Sequence, residues 1–359
     1  MAQVTLGDVA IESRETYKGD KSGMPIVGLE HLIPEDVVLS LWDRDKENTF
    51  TKMFRKGDML FGRRRAYLKK AAQAPFDGIC SGDITVIRAK EDRLIPELLP
   101  FIIQNDVLFD FAVGKSAGSL SPRVKWENLK NYKFELPPLS EQKKLAEALW
   151  AINDTLQAYQ KLLIETDELV KSQFVEMFGD YHTNSKGFET HPGIELFKFS
   201  SGKFLPEEKR LSDGIPVYGG NGIAWYTDIP LIDYPTIIIG RVGALCGNIH
   251  TVHEPVWITD NAIYIKEQKT NKFTLEFLTE MMTIMDFYQY ADFSGQPKIT
   301  QKPLESLHYL TPPIEMQNEF TSFCKQVDKS KFALQNAISA ARETKRSIIA
   351  DALGIKGKE

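Results

Sequence analysis

From Leu145 onward the apolar positions fall at Leu145, Leu149, Ile152, Leu156, Tyr159 and Leu163, and the spacing continues through Thr166 and Val170. Steps of four and three alternate, the heptad signature of a helix that buries one narrow stripe. Neither Gly nor Pro interrupts Ser140 to Phe178. A second stretch repeats the spacing at Phe320, Cys324, Val327, Lys331, Leu334, Ile338, Ala341 and Lys345, with lysine where the first copy has Leu156 and Val170. Each stretch follows a Pro-Pro pair, at 137–138 and 312–313, and ends at a glycine, Gly179 or Gly354. Proline before and left-handed glycine after delimit two helices. A helix of about 35 residues is roughly 50 Å long, and its apolar seam needs a partner in water. A stripe of this kind also suits a helix inside a core. Length, absence of breakers and charge at most non-seam positions favour a rod. The seam residues Leu145, Leu149, Ile152, Leu156 and Leu163 are therefore expected to meet Phe320, Val327, Leu334 and Ile338 in an antiparallel pair.

The repetition extends beyond the rods. Leu136-Pro137-Pro138-Leu139-Ser140-Glu141-Gln142 recurs as Thr311-Pro312-Pro313-Ile314-Glu315-Met316-Gln317, an offset of 175, and Ser121-Pro122-Arg123-Val124 faces Gln296-Pro297-Lys298-Ile299 at the same offset. Phe61-Gly62-Arg63 matches Ile239-Gly240-Arg241, and Asp83 to Ile87 matches Asn261 to Ile265, both at 178. A short match, Pro25 to Gly28 with Pro216 to Gly219, stands at 191 and is brief enough to arise by chance. The layout is a globular unit at 1–139, a long helix at 140–179, a second unit at 180–314 and a second helix at 315–355. Strand-like runs (Ile84 to Arg88, Thr236 to Ile239) and helix-like stretches (Ile95 to Phe111, Phe273 to Tyr290) make each unit mixed. The expected fold is α+β: two mixed α/β modules separated by two long antiparallel coiled-coil helices, with an internal pseudo-twofold repeat.

Charge refines this picture. The 359 residues carry 44 Lys plus Arg against 49 Asp plus Glu, a net charge of −5, which excludes a generally sticky polycation. Over residues 1–139, 140–180, 181–314 and 315–359 the balance is +1, −4, −4 and +2, so the second module is acidic. Within the first module, Arg55 to Lys70 holds seven bases and only Asp58 against them. Three distant cysteines (Cys80, Cys246, Cys324) make no CxxC pair, which points to a reducing, cytoplasmic setting without a zinc knuckle. No leader-like start and no apolar run of membrane length are read.

Catalytic and metal signatures are missing. Gly114-Lys115-Ser116 lacks the earlier glycine of a phosphate loop, since Phe109 stands there, and Tyr218 to Gly222 lacks dinucleotide-loop order. His250 and His253 have no acidic or cysteine partners at metal spacing. Neither GxSxG nor HExxH occurs. No catalytic and no metal residue is nominated.

What remains is chemistry suited to nucleic acid. Arg63, Arg64, Arg65 and Lys69 form either a solvated charged loop or a segment that contacts phosphate and guanine. Arg241 holds the place of Arg63 in the second module. Tyr218, Asn221 and Trp225 surround a glycine turn; they reach base edges, with Asn221 a reader of adenine, or merely close a hairpin over a small core. The loops containing Lys115, Ser119 and Arg123, and containing Lys298, occupy equivalent places, and their small residues let backbone approach a phosphate.

The pattern resembles the specificity subunits of type I restriction-modification systems. The stretches that carry it are "LPPLSEQKKLAEAL" and "TPPIEMQNEF", together with "TLGDVA", "KGDMLFGRR", "IPVYGGNGIAWY" and "YPTIIIGRVG". The resemblance covers essentially the whole chain, and the duplicated Pro-Pro helix start is its most specific part. It implies a non-catalytic subunit with two target-recognition domains, each reading half of a split, asymmetric sequence in double-stranded DNA. It implies helices that act as spacers and as docking surfaces for two methyltransferase subunits, with restriction (translocase and nuclease) subunits joining. S-adenosylmethionine, ATP and Mg would belong to those partners, leaving this chain without a cofactor. Matched heptad deletions in both helices would then shorten the preferred spacer. Lys331 and Lys345 on the second seam depart from a uniformly apolar rod. The rival reading is a coiled-coil adaptor without sequence-specific DNA binding.

Overall fold

The computed structural model describes residues 2–355. They form two compact units, one running up to Lys161 and resuming at Leu334, the other spanning Leu162–Ala333. Two long helices, Leu139–Phe178 and Ile314–Ala352, thus contribute one segment each to each unit.

The first unit is built on a four-stranded antiparallel sheet in the order Ala10–Glu12, Ile84–Ala89, Met59–Gly62, Ala71–Gln73. β-Branched and aromatic residues fill the central strands, and Ile84, Val86, Ile87, Leu60 and Phe61 are fully buried. A three-stranded sheet pairs Ile26–Val27 in parallel, and Lys52–Phe54 antiparallel, with Gly78–Cys80. A ribbon of Ala2–Thr5 and Lys133–Leu136 closes the module. The long helices join its core through Ala146 and Leu149 at the start of the first and Ile349 and Leu353 at the end of the second. The two segments therefore run antiparallel here.

The second unit repeats the plan. Its four-stranded sheet runs Phe197–Ser201, Ala262–Gln268, Thr236–Gly240, Ile249–Val252, again all antiparallel. The closing ribbon is Thr190–Pro192 with His308–Leu310. Here the end of the first helix meets the start of the second, through Val170, Phe174 and Phe178 against Phe320, Cys324 and Val327. Phe174, Phe178 and Phe320 lie with ring centres 5.0–5.6 Å apart, a spacing at which edge and tilted contacts add to burial.

The brief match at 191 proves to be structural. Val217 and Tyr218 pair in parallel with Trp257 and Ile258, as Ile26 and Val27 pair with Ile79 and Cys80. The third strand differs: Lys52–Phe54 lies on Gly78–Cys80 in the first unit, whereas Gly222–Thr227 lies on Ile215–Gly219 in the second.

Along the seam, Leu149, Leu156, Phe320, Val327 and Ile338 are buried, while Leu145, Ile152, Leu163 and Leu334 are half-buried. Lys331 is accommodated by an ion pair with Asp167 of the facing helix at 2.6 Å. Lys345 turns toward a cavity of about 250 Å³ beside the first module, with Arg342, Glu35, Lys69 and Asp106 in its walls. Glycines end both helices as expected, Gly179 at φ 78° and Gly354 at φ 58°.

The helix-like stretches of the modules are broken, which the apolar spacing did not indicate. Ile95 to Phe111 divides into Leu99–Ile103 and Asp106–Gly114, because Asn105 caps the latter by accepting from Leu108 N–H at 2.7 Å. Phe273 to Tyr290 divides into Leu275–Ile284 and a 3₁₀ turn, Phe287–Tyr290, at Asp286, which sits at φ 46°.

A polar residue secures each long helix to its module. Gln142 is buried; its Oε1 accepts from Ile95 N–H at 3.0 Å and its Nε2 donates to Arg93 O and Pro137 O at 3.2 and 2.9 Å. Gln317 does the same with Thr274 N–H (2.9 Å), Lys272 O (2.7 Å) and Pro312 O (2.9 Å). These partners would otherwise be unpaired backbone groups at the mouth of a helix.

Candidate nucleic-acid interface

The strand Met59–Gly62 delivers Arg63, whose N–H donates to Asp83 O at 3.0 Å and whose O accepts from Val124 N–H at 3.0 Å. Arg65, at φ 55°, donates from its N–H to Pro122 O at 2.8 Å. The 63–65 turn and the 117–123 loop are thus one unit of backbone, and Arg64 bridges Arg123 across it. Arg123 grips Asp83 with Nε–Oδ1 at 2.6 Å and Nη2–Oδ2 at 3.1 Å. Arg64 places Nη1 3.7 Å from Asp83 Oδ2 and donates from Nη2 to Ser121 Oγ at 3.1 Å. Hydrogen bonding from Arg123, then the charges of Arg123, Arg64 and Arg63, hold the Asp83 carboxyl below the usual range. Three guanidiniums around one carboxylate leave the patch cationic. The carboxylate holds the Arg123 and Arg64 side chains in place.

Of the rest of the basic run, Arg55, Lys69 and Lys70 are spent within the fold, while Lys56 is exposed. Arg55 pairs with Glu15 and Asp77, both at 3.0 Å. Lys70 Nζ donates to Leu29 O at 2.7 Å. Asp58, the lone acid of that run, is buried and answers Arg88 at 2.7 Å. Lys69 sits on Asp106 at 2.5 Å in the wall of the cavity described above, outside the arginine cluster. Lys115 lies over the Phe111 ring at 5.9 Å, and Ser119 is exposed on the loop itself.

The second unit reproduces the backbone of this site bond for bond. Arg241 N–H donates to Asn261 O and Ile299 N–H donates to Arg241 O, both at 2.9 Å. Gly243 N–H donates to Pro297 O at 2.9 Å, and Val242 bridges Lys298. Asn261 stands where the first unit has Asp83, so Arg241 and Lys298 face no carboxylate from that position. The hairpin of Ile215–Gly219 and Gly222–Thr227 is laid against this turn. A Cβ on Gly240 would come within 2.4 Å of Gly220 O, so only glycine permits the approach. Asn221 is exposed at the hairpin tip, Tyr218 is half-buried with its ring 5.9 Å from His250, and Trp225 lies under the Arg210 guanidinium at 4.0 Å. That stacking is a cation–π contact. The hairpin reading and the base-contact reading are thus compatible: the strands pair while Asn221 stays exposed and Trp225, with Arg210 stacked on one face, remains 39% exposed.

Sequence reading did not single out Asp83, Ser121, Arg210 or the two glutamines. Asp83 and Asn261 did stand in matched blocks, and the Pro-Pro motifs contained both glutamines, so position in the repeat was the available signal. Among the described residues one group has metal-ligand proximity: Glu30, His31 and Asp43. There His31 Nδ1 accepts from Gly28 N–H at 2.9 Å and Asp43 is paired with Lys46 at 2.7 Å. Among the described residues, no helix is long and apolar enough to cross a membrane.

The sequence profile of the type I restriction modification DNA specificity domain matches residues 1–166 and again 186–342. The chain belongs to this family. The type I restriction enzyme EcoprrI specificity subunit of Escherichia coli is 29% identical over 158 residues, 43% of this chain and 38% of its own length. The EcoDI specificity subunit, also of Escherichia coli, is 28% identical over 129 residues, 35% of this chain and 28% of that one. The matched stretch thus spans well under half of these relatives. Among solved structures, the type I restriction-modification S subunit of M. genitalium has TM-score 0.59 at 16% identity, covering 100% of this chain and 96% of that one. A chain solved in work on complex assembly and conformational transition of a type I R-M system has TM-score 0.59 at 20% identity, covering 98% and 97%. The specificity-domain fold is therefore shared over essentially the full length, and both repeats of this family member carry the arginine-bearing turn.

Proposed function

We propose that this chain is the DNA-reading subunit of a type I restriction-modification complex, each unit contacting one half of a bipartite target. The observation that carries the reading is the duplicated turn: Arg63–Arg64–Arg65 locked to the 117–124 segment, and Arg241–Val242–Gly243 locked to the 292–299 segment. Cationic side chains on rigid backbone offer phosphate contacts and bidentate base contacts together. The chain itself performs no catalysis in this reading, and S-adenosylmethionine, ATP and Mg serve two methyltransferase subunits and the restriction subunits. Docking of such partners is supported by apolar side chains left outside the seam, among them Ile164 and Phe332, each about two-thirds exposed. The complex would work in the cytoplasm.

The test is to map modified adenines in host DNA with and without the gene, then measure binding of the purified complex to the mapped site. A split motif that disappears with the gene, and loss of binding on replacing Arg63, Arg64 and Arg65 by Ala, are expected. Each arginine that contacts a base should cost about 1–3 kcal/mol. Helix-mediated assembly without sequence-selective binding would favour the adaptor instead.

A further inference from the structure

Each unit carries a narrow loop closed at its neck by an antiparallel bridge, Ala117 with Arg123 in the first and Asp292 with Lys298 in the second. The necks are closed by matched hydrogen bonds of 2.8–3.1 Å in both directions. Between them stand Gly118 (φ 114°), Ser119, Leu120, Ser121 and Pro122, and Phe293, Ser294, Gly295, Gln296 and Pro297. In both loops one large apolar residue projects from otherwise small or polar neighbours. Leu120 is 90% exposed, more than any other large apolar side chain among the described residues. Phe293 is 53% exposed, its ring steadied edge-to-face by Tyr288 at 5.2 Å. A single exposed apolar residue is ordinary; one in each duplicated loop, Leu120 at the middle of the first and Phe293 directly after the neck residue Asp292 in the second, with Arg64 and Arg123 near one and Arg241 and Lys298 near the other, is not explained by folding.

We propose that Leu120 and Phe293 are apolar readers of thymine, each contacting a C5-methyl group in the major groove of one half-site. The inference rests on the DNA-recognition reading above. The cations at each neck match the phosphates that flank a groove, and a five-residue loop of mostly small residues around one apolar side chain is slim enough to enter it. Among the base-edge features of the major groove, the thymine methyl is the apolar one. A leucine or phenylalanine carried there on a bridged loop gains from covering it, and the water displaced comes from two apolar surfaces at once.

The experiment uses the chain in complex with its methyltransferase subunits and duplexes bearing the mapped target. Each thymine is replaced in turn by deoxyuridine, which lacks only the methyl group. One replacement in one half-site should weaken wild-type binding about fourfold, the effect of burying one methyl-sized group. Leu120→Ala should remove that sensitivity and leave the other half-site's intact, and Phe293→Ala should do the reverse. Unchanged melting temperatures show that both variants are folded. A half-site without thymine, or equal sensitivity in wild type and variant, would overturn the inference alone. Failure of the wild-type complex to prefer the mapped site would overturn the DNA-recognition reading itself.

Discussion

Replacing Gln317 by Met keeps the side-chain volume but removes every polar contact that ties the second long helix to its module. Thr274 N–H, Lys272 O and Pro312 O then lose their partner at 2.7–2.9 Å. An unsatisfied buried group costs about 1–3 kcal/mol. Lys272 O and Thr274 N–H lie in a partly buried setting where water offsets part of the loss. The expected destabilisation is therefore about 3–6 kcal/mol, a large share of the ~5–15 kcal/mol that holds a domain folded. The near-isosteric methionine limits any cavity contribution. Urea unfolding followed through Trp225 and Trp257 reads the second unit, with Trp42, Trp126 and Trp150 reading the first. With a slope of about 2 kcal/mol per molar, the second unit's midpoint should fall by roughly 1.5–3 M, and Gln142→Met should do the same to the first unit. A midpoint lowered by less than about 0.5 M would refute the claim that these amides anchor the helices.

Arg241→Ala with Lys298→Ala should weaken binding to all sequences and lower the slope of log K against log salt by about 2, if both contact phosphates; a salt titration checks this. Two carboxyls should respond to pH with opposite sign. Asp83 is held below its ordinary range by Arg123 and its neighbours, so its stabilisation is present above the unfolded-state value and lost as pH falls through the folded one. Asp83→Asn should therefore reduce the loss of stability on acidification. Glu280 is pushed up by burial and by Asp328, so it costs stability as pH rises through the ordinary carboxylate range. Glu280→Gln should raise the melting temperature at pH 7 and bring little change near pH 4.

The heptads, the Pro-Pro starts and the terminal glycines made the two long helices legible, because helix geometry is local and a periodic stripe records it directly. The duplication was equally legible, since matched blocks preserve the backbone hydrogen bonds of both modules. The arginine cluster was only half visible. Seven bases stood together in the sequence, yet Arg55, Lys69 and Lys70 are consumed by Glu15, Asp77, Asp106 and a backbone carbonyl, while Arg123, some sixty residues away, completes the patch. A tally of charge cannot foresee which partners the fold supplies. The same holds for the acidic second module, where Asn261 replaces the carboxylate of Asp83 and leaves Arg241 and Lys298 free of that counter-charge.

By itself, then, the chain's pattern determined two rods, two related modules and the loops that carry cationic chemistry, because each of these is written in short-range spacing or repetition. Tertiary structure alone decided which arginines gather round Asp83, where Lys345 turns, and that Leu120 stands bare at the end of a bridged loop. Those outcomes depend on residues distant in sequence meeting in a low-dielectric, sterically crowded setting, where one ion pair or one glycine contact settles what a side chain is left free to do.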